Sequence, residues 1–442
     1  MDRRPIPSQR ASWRNVLGHQ SEGWAAAAGQ MTPSGPDSTG PDVQARKLDP
    51  ARQMEFNNYH ASLAMPRRIV HITSAHRTDD DRIFHKECRS LAEHGLSVTV
   101  IGPGEERKAL AGVDILGVPS PGRSRLRRIS VTLWRLLVRC LSLPADVYHF
   151  HDPELVALGF TLKIFGRRVV YDVHEDYPQK ILTSEWISPV LRRPLSGIMA
   201  AVEAAGGRLF DGIVAVTPTI AARFPPPKTI TLCNYPMLEE FSTVAGTPYH
   251  DRPCQVCYVG GLAEARGVFD MVEAAGLVQG GAAQCLRLAG RFESGDEEKQ
   301  SRAKPGWARV DYRGWLDRPG VARLMASVRA GLVVLHPNRC FIDAYPIKMF
   351  EYMAAGLPVV ASDFPVYREI LDDGACGLLV PAADPPALAR AIEWILAHPD
   401  EAKAMGEQGR RRVERLYTWE AERTKLFALY RQIAAPAVPC VC

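Results

Sequence analysis

Two carboxylates and a lysine fall close together in the stretch His336–Phe364, which reads HPNRCFIDAYPIKMFEYMAAGLPVVASDF. Asp343 and Glu351 are separated by seven residues, and Lys348 lies between them. Pro346 suits the first turn of a helix, where its missing N–H costs nothing, and Gly356 followed by Pro358 stops that helix. The free N–H groups near Ile347 and Lys348 then form an anion site, with the lysine charge beside it. Glu351 lies about one turn further in. Carboxylates accept hydrogen bonds from hydroxyl pairs, so a sugar or ribose fits this constellation.

A second basic element follows an apolar run at Val256–Val259. Gly260 and Gly261 let the backbone approach a ligand closely, and Arg266, just before Gly267, can clamp a diphosphate with two hydrogen bonds. No G-x-G-x-x-G follows this strand, so it is not a dinucleotide fingerprint. Three clusters in the first half also follow apolar runs: Ser74–Arg77 with Asp80–Arg82, His149–Glu154, and Asp172–Asp176. They place His76, Asp80, Arg82, His151, Asp152, His174 and Glu175 at strand ends. The histidines and acids are metal-ligand types, but no His-x-x-x-His spacing sits on one helix.

The elements that must hold these groups alternate. Short β-rich runs occur at 68–72, 98–101, 147–150, 169–173 and 213–216, with helical spacing between them (Ile83, Phe84, Cys88, Leu91). The pattern restarts after about residue 245, with strands expected near 256–259, 286–288, 332–335, 359–361 and 378–380. Apolar strands joined by helices mean a parallel sheet covered on both faces. The expected fold class is therefore α/β, with two doubly wound, Rossmann-like halves facing a cleft, and ligands at the strands' carboxyl ends. The expected domains are 66–245 and 253–415, joined by a linker near 247–253. A terminal helix over 416–434 packs back toward the first half.

The stretch P-x-K-x-F-E-Y-M-A-A-G-x-P-V-V-A-S-D resembles the nucleotide-sugar site of the retaining family 4 glycosyltransferases of the GT-B fold, whose mark is two acidic residues with seven between. The resemblance covers about residues 67–434 of the chain. It implies transfer of a hexose, with retention, from a UDP- or GDP-linked sugar to a polysaccharide or polyprenyl-linked glycan acceptor in cell-envelope or exopolysaccharide assembly. It implies no cofactor and no metal, because basic groups and helix dipoles stabilise the leaving diphosphate. Glu351 would hold the ribose hydroxyls and Asp343 the donor sugar, where the family usually has Glu. Members usually carry Gly-Arg at Gly260–Gly261 and Lys-Gly at Arg266–Gly267, so one of two expected basic residues is absent. Gly314 and Trp315 match the loop framing the base. His174 matches the histidine that reaches the donor sugar, with His151, Asp152 and Glu175 lining the same region. His76, Asp80 and Arg82 match a loop that faces the acceptor. A nucleotide-sugar epimerase and a non-catalytic partner subunit are the competing readings.

Composition sets the remaining bounds. The chain has 442 residues, 46% hydrophobic and 23% charged, enough for two or three packed domains. A net charge of +5 is too small to argue for nucleic acid, which is not an expected partner. No apolar run approaches about 18 residues, so no spanning helix is expected. Ten scattered cysteines fit a reduced cytosol rather than a disulfide framework. Residues 1–64 are rich in Ser, Pro, Gly and Gln and are expected to be disordered, with no secretory signal. The positive charge concentrates locally: six arginines lie between 123 and 139, interleaved with Leu126, Ile129, Leu133, Trp134, Leu136 and Leu137. Such a segment, 123–143, can lie on an anionic membrane from the cytoplasmic side.

Overall fold

The computed structural model describes residues 65–434 apart from 105–107, 120–124, 185–186, 243–246 and 280–282; the side chains of 125–130 and 242 also fall outside the description. The disorder expected for residues 1–64 therefore lies outside the described residues.

The first sheet has eight strands: β1 (Arg68–Ile72), β2 (Ser97–Pro103), β3 (Lys108–Leu110), β4 (Val113–Val118), β5 (Val147–Phe150), β6 (Val169–Val173), β7 (Gly212–Ala215) and β8 (Thr229–Thr231). Their order is β3-β4-β2-β1-β5-β6-β7-β8. All neighbours are parallel except β3 and β4. Every residue of β5, β6 and β7 is buried, as a sheet with helices on both faces requires.

A π-helical turn at Ile83–Cys88 runs into α1 (Arg89–Glu93), and the further helices on this sheet include α2 (Arg125–Ser142), α3 (Val156–Ile164), α4 (Tyr177–Thr183) and α5 (Pro189–Leu209). Helices α2, α3 and α5 cover one face of the sheet, packing onto a core with Tyr148, Phe150, Tyr171 and Phe210. The apolar residues of α2 divide between two faces. Leu133, Leu136 and Leu137 point into this core, while Trp134, Arg135, Val138 and Arg139 are exposed.

The second sheet is wholly parallel: β9 (Val256–Val259), β10 (Leu286–Ala289), β11 (Val310–Gly314), β12 (Ala330–Val333), β13 (Val359–Ser362) and β14 (Gly377–Val380), in the order β11-β10-β9-β12-β13-β14. Its helices include α6 (Val268–Leu277), α7 (Arg318–Met325) and α8 (Ile347–Ala354). Strand β12 begins two residues before the expected run. Its second residue, Gly331, is covered by the Tyr352 ring; a Cβ there would come within 2.2 Å of the ring. Val334 and Leu335 are buried but lie past the ladder.

The last helix, α9 (Trp419–Ala434), returns to the open face of the first sheet. Trp419 Nε1 donates to Ser90 Oγ at 2.8 Å. Leu429 and Ile433 pack over Gly212, where a Cβ would meet Ile433 Cδ1 at 2.8 Å.

Strand order reverses between β1 and β5 in the first sheet and between β9 and β12 in the second. Connections leave in opposite directions there, which opens a crevice at the carboxyl edge. The loops after these four strands carry Ser74–Arg77, His151–Glu154, Gly260–Arg266 and residues 334–346.

Candidate active site

The second-half loops form a cationic pocket. Lys348, in the first turn of α8, donates from Nζ to the Tyr258 hydroxyl at 2.6 Å and sits 3.9 Å from that ring's centroid. A Cβ on Gly260 would approach Lys348 Nζ to 2.7 Å, and one on Gly261 would stand 3.6 Å from Arg266 Nε. Gly260 therefore leaves room for Lys348, while the paired Arg266 and Glu293 stand beside Gly261. Gly260 also has φ +140, in the region only glycine adopts freely. Burial first, and then the Arg266 charge, push Lys348 down to about 7. Arg266 Nε donates to Glu293 Oε1 at 3.3 Å.

Glu351 follows on the inner side of α8 and is almost buried. Its Oε1 accepts from Arg318 Nη1 at 2.6 Å, and Arg318 Nε donates to Glu240 Oε2 at 3.0 Å. Asp343 lies apart from this pair. It is exposed in a loop folded by Asn338, whose Oδ1 accepts from the Cys340 and Phe341 amides at 2.9 and 3.0 Å. Ile347 is half-buried at the start of α8. Gly314 ends β11 with φ +63, and the exposed Trp315 ring faces Arg291 at 5.7 Å.

The first-half residues gather around two buried carboxylates. Asp172 Oδ2 lies 2.8 Å from His174 Nε2 and 3.0 Å from His151 Nδ1, while Arg82 Nη2 donates to Oδ1 at 3.1 Å. Burial opposes its ionisation, yet Arg82 and the two imidazoles hold the Asp172 carboxyl well below the usual range. Asp152 accepts from the Thr73 hydroxyl at 2.7 Å and the Ser74 amide at 2.6 Å, and its Oδ1 lies 2.8 Å from His76 Nδ1. The adjoining Asp152 carboxylate raises the pKa of His76, whose ring lies 5.0 Å from that of His174. His76 and His174 thus present two carboxylate-oriented imidazoles at the carboxyl edge.

Three of the expected cleft residues take other positions. Arg82 is buried beneath the loop, bonded to Asp172, to Glu87 at 3.0 Å and to the Leu232 carbonyl. Asp80 Oδ1 accepts from the Arg82 and Ile83 amides, capping the π-helical turn. Glu175 is exposed and paired with Lys180.

Behind His151 the polar chain continues inward. His71 Nδ1 is 2.9 Å from His151 Nε2, and the Tyr430 hydroxyl is 2.7 Å from His149 Nδ1. Burial lowers the pKa of His71, His149 and His151, favouring neutral rings. Two groups here, His71–Glu87–His149–His151 and His151–Asp172–His174, each bring possible ligand atoms within 4.8 Å of one another. Arg82 is bonded to Glu87 and to Asp172, so a dication in either group would sit against a guanidinium.

Sequence reasoning missed Arg318, Lys86 and Tyr430. Lys86 is buried in the first half and donates to Asn234 Oδ1 at 2.5 Å. Burial pushes it down to about 8, and Glu351 in the second half opposes that shift. Thr183 Oγ1 and Cys340 Sγ, 3.8 Å apart, provide a second meeting of the two halves. A lysine and an arginine on otherwise mixed helices carry no periodic signal.

Two family models match the chain in succession: Glycosyltransferase Family 4 over residues 81–225, and glycosyl transferases group 1 over residues 247–412. The chain belongs to the family 4 GT-B glycosyltransferases. A phosphatidyl-myo-inositol mannosyltransferase of Mycobacterium leprae is 29% identical to this glycosyltransferase over 65% of its chain and 74% of the relative. An alpha-D-kanosaminyltransferase of Streptomyces kanamyceticus is 29% identical over 41% of this chain and 46% of its own. Among solved structures, sucrose-phosphate synthase of Thermosynechococcus elongatus shares the fold with TM-score 0.67 and 20% identity, covering 83% of this chain and 99% of that one. HepE of Anabaena, solved in complex with UDP-glucose, superposes with TM-score 0.62 and 14% identity, covering 82% and 98%. The residues that follow the strands at both reversal points therefore belong to a GT-B glycosyltransferase.

Proposed function

We propose that this glycosyltransferase moves a hexose, with retention, from a UDP- or GDP-linked sugar to a polysaccharide or lipid-linked glycan acceptor of the cell envelope or an exopolysaccharide. The observation that carries the reading is the pocket beside Gly260. Lys348 and Arg266 flank backbone that only glycine opens, at a helix N-terminus, with Glu351 about one turn further along. That arrangement suits a diphosphate followed by a ribose. Lys348, beside Gly260, supplies a second cation where the arginine expected at Gly261 is missing.

In this reading the acceptor hydroxyl oxygen attacks the anomeric carbon on the face the diphosphate leaves. The carbon–oxygen bond to the phosphate breaks, and the diphosphate keeps the electron pair. The acceptor proton passes to a phosphate oxygen. Lys348, Arg266 and the α8 amides stabilise the departing charge. His174, oriented by Asp172, reaches the donor sugar, and Asp343 meets the same sugar from the loop. No metal or cofactor has a part in these steps. The protein works at the cytoplasmic face of a membrane, which it touches through residues 123–143. The phosphatidyl-myo-inositol named for the Mycobacterium leprae relative supports a lipid-borne acceptor.

Thermal shift with nucleotides and nucleotide sugars tests the reading. Stabilisation by one nucleotide, lost in Glu351→Ala, is expected. No shift with any of them overturns it. Turnover of a nucleotide sugar with no acceptor present would make the protein an epimerase instead.

A further inference from the structure

Thirteen large apolar side chains are exposed among the described residues, and nine of them lie on or directly after α2, α3 and α5. These helices form one continuous layer on one face of the first sheet. Leu191, Leu195 and Ile198 of α5 form a stripe at helical spacing, 53%, 39% and 60% exposed. Trp134 and Val138 of α2 form a second pair about one turn apart, flanked by exposed Arg135 and Arg139. Ile164 and Phe165 add a third group at the end of α3.

The charge on this layer is one-sided. The three helices contain nine Lys and Arg residues and a single carboxylate, Glu203. Glu203 is buried, accepting from the Tyr171 hydroxyl and paired with Arg223. Hence no acidic side chain of α2, α3 or α5 reaches the surface. A soluble face usually intersperses both signs and breaks up its apolar groups. Asp211, just after α5, pairs with Lys163 of α3; the other exposed groups of the three helices are apolar or cationic, which matches an anionic bilayer.

We propose that the whole α2–α3–α5 layer lies on an anionic lipid surface, with the α5 stripe as an inserting element. This deepens the membrane contact of the proposed function and rests on that reading for its purpose. Helix α5 begins after the loop from β6 that carries His174, and ends at the amino edge before β7. Its stripe therefore lies at the end nearer the carboxyl edge. A carrier lipid held in the bilayer would deliver its glycan to the crevice from that side.

The test uses the full chain and phosphatidylcholine vesicles with or without phosphatidylglycerol. The protein is expected to float with the anionic vesicles at low salt and to be released by high salt. The triple variant Leu191→Ser, Leu195→Ser, Ile198→Ser is expected to bind them about tenfold more weakly, with its melting temperature unchanged. A second variant, Arg135→Glu with Arg139→Glu, should lose the salt-dependent part. Absence of flotation at low salt overturns the proposal, as does undiminished binding by the triple variant. A wild type that sediments as a dimer and a triple variant that sediments as a monomer, neither floating, would assign the face to a second copy of the chain. Nucleotide-induced stabilisation is measured alongside: its presence without flotation rejects the lipid face alone, while its absence rejects the transferase reading.

Discussion

Arg318 Nη1 donates to Glu351 Oε1 at 2.6 Å, so the carboxylate proposed for the ribose already has one oxygen committed. Glu240 holds the other side of the guanidinium. Arg318 therefore acts as a positioning residue, leaving Glu351 Oε2 for a hydroxyl pair. Arg318→Ala is expected to raise the donor KM by about tenfold with kcat little changed, since it removes one charge-assisted hydrogen bond from a nearly buried carboxylate. Arg318→Lys should recover part of the loss. Initial rates against donor concentration separate the two constants, and an effect confined to kcat would contradict the assignment.

Lys348 makes donor binding depend on pH. Its ammonium is held down to about 7 in the empty pocket, by burial first and Arg266 second. A bound diphosphate favours the charged form and raises that value again, so binding takes up a proton above pH of about 7. Affinity should be greatest below that pH and fall as pH rises. Calorimetry at pH 8 in buffers of different ionisation enthalpy should show proton uptake, and Lys348→Met should abolish it.

Arg82 supports the first-half carboxylates from below. Arg82→Met leaves Asp172 without its guanidinium partner, at a cost of about 3–5 kcal/mol. Because the Asp172 carboxyl is held well below its ordinary range, the stabilisation is present above that range and lost as pH falls through the depressed value. Urea denaturation should show a large deficit at neutral pH and a smaller one in acid.

Tyr430 ties α9 to the buried histidines. Tyr430→Phe leaves His149 Nδ1 without the partner at 2.7 Å and should cost about 1–3 kcal/mol by urea denaturation. Nucleotide-induced stabilisation should persist, because Tyr430 is far along the chain from the donor loops and lies behind the crevice.

The doubly wound architecture is legible in the chain because apolar strands and helical spacing alternate twice. The helix after Pro346 is equally legible, as is its stop at Gly356, since local backbone rules settle both. The bounds of β12 are not legible, because Val334 and Leu335 past its end are as apolar as the strand itself. Position 331 is glycine for a reason no spacing shows: the Tyr352 ring needs the room.

Residue types and short-range order sufficed for the two halves, the loops at their strand ends, and the neighbours Lys348 and Glu351. Only the tertiary structure decided which charges meet. Arg318 reaches Glu351 across 33 residues, Arg82 reaches Asp172 across 90, and Tyr430 reaches His149 across 281. It also decided that Leu133, Leu136 and Leu137 of α2 face the core while Trp134 faces out. Periodicity reports that a helix has two faces. Which one is buried depends on the sheet beneath it, and that sheet is built from strands distant in sequence.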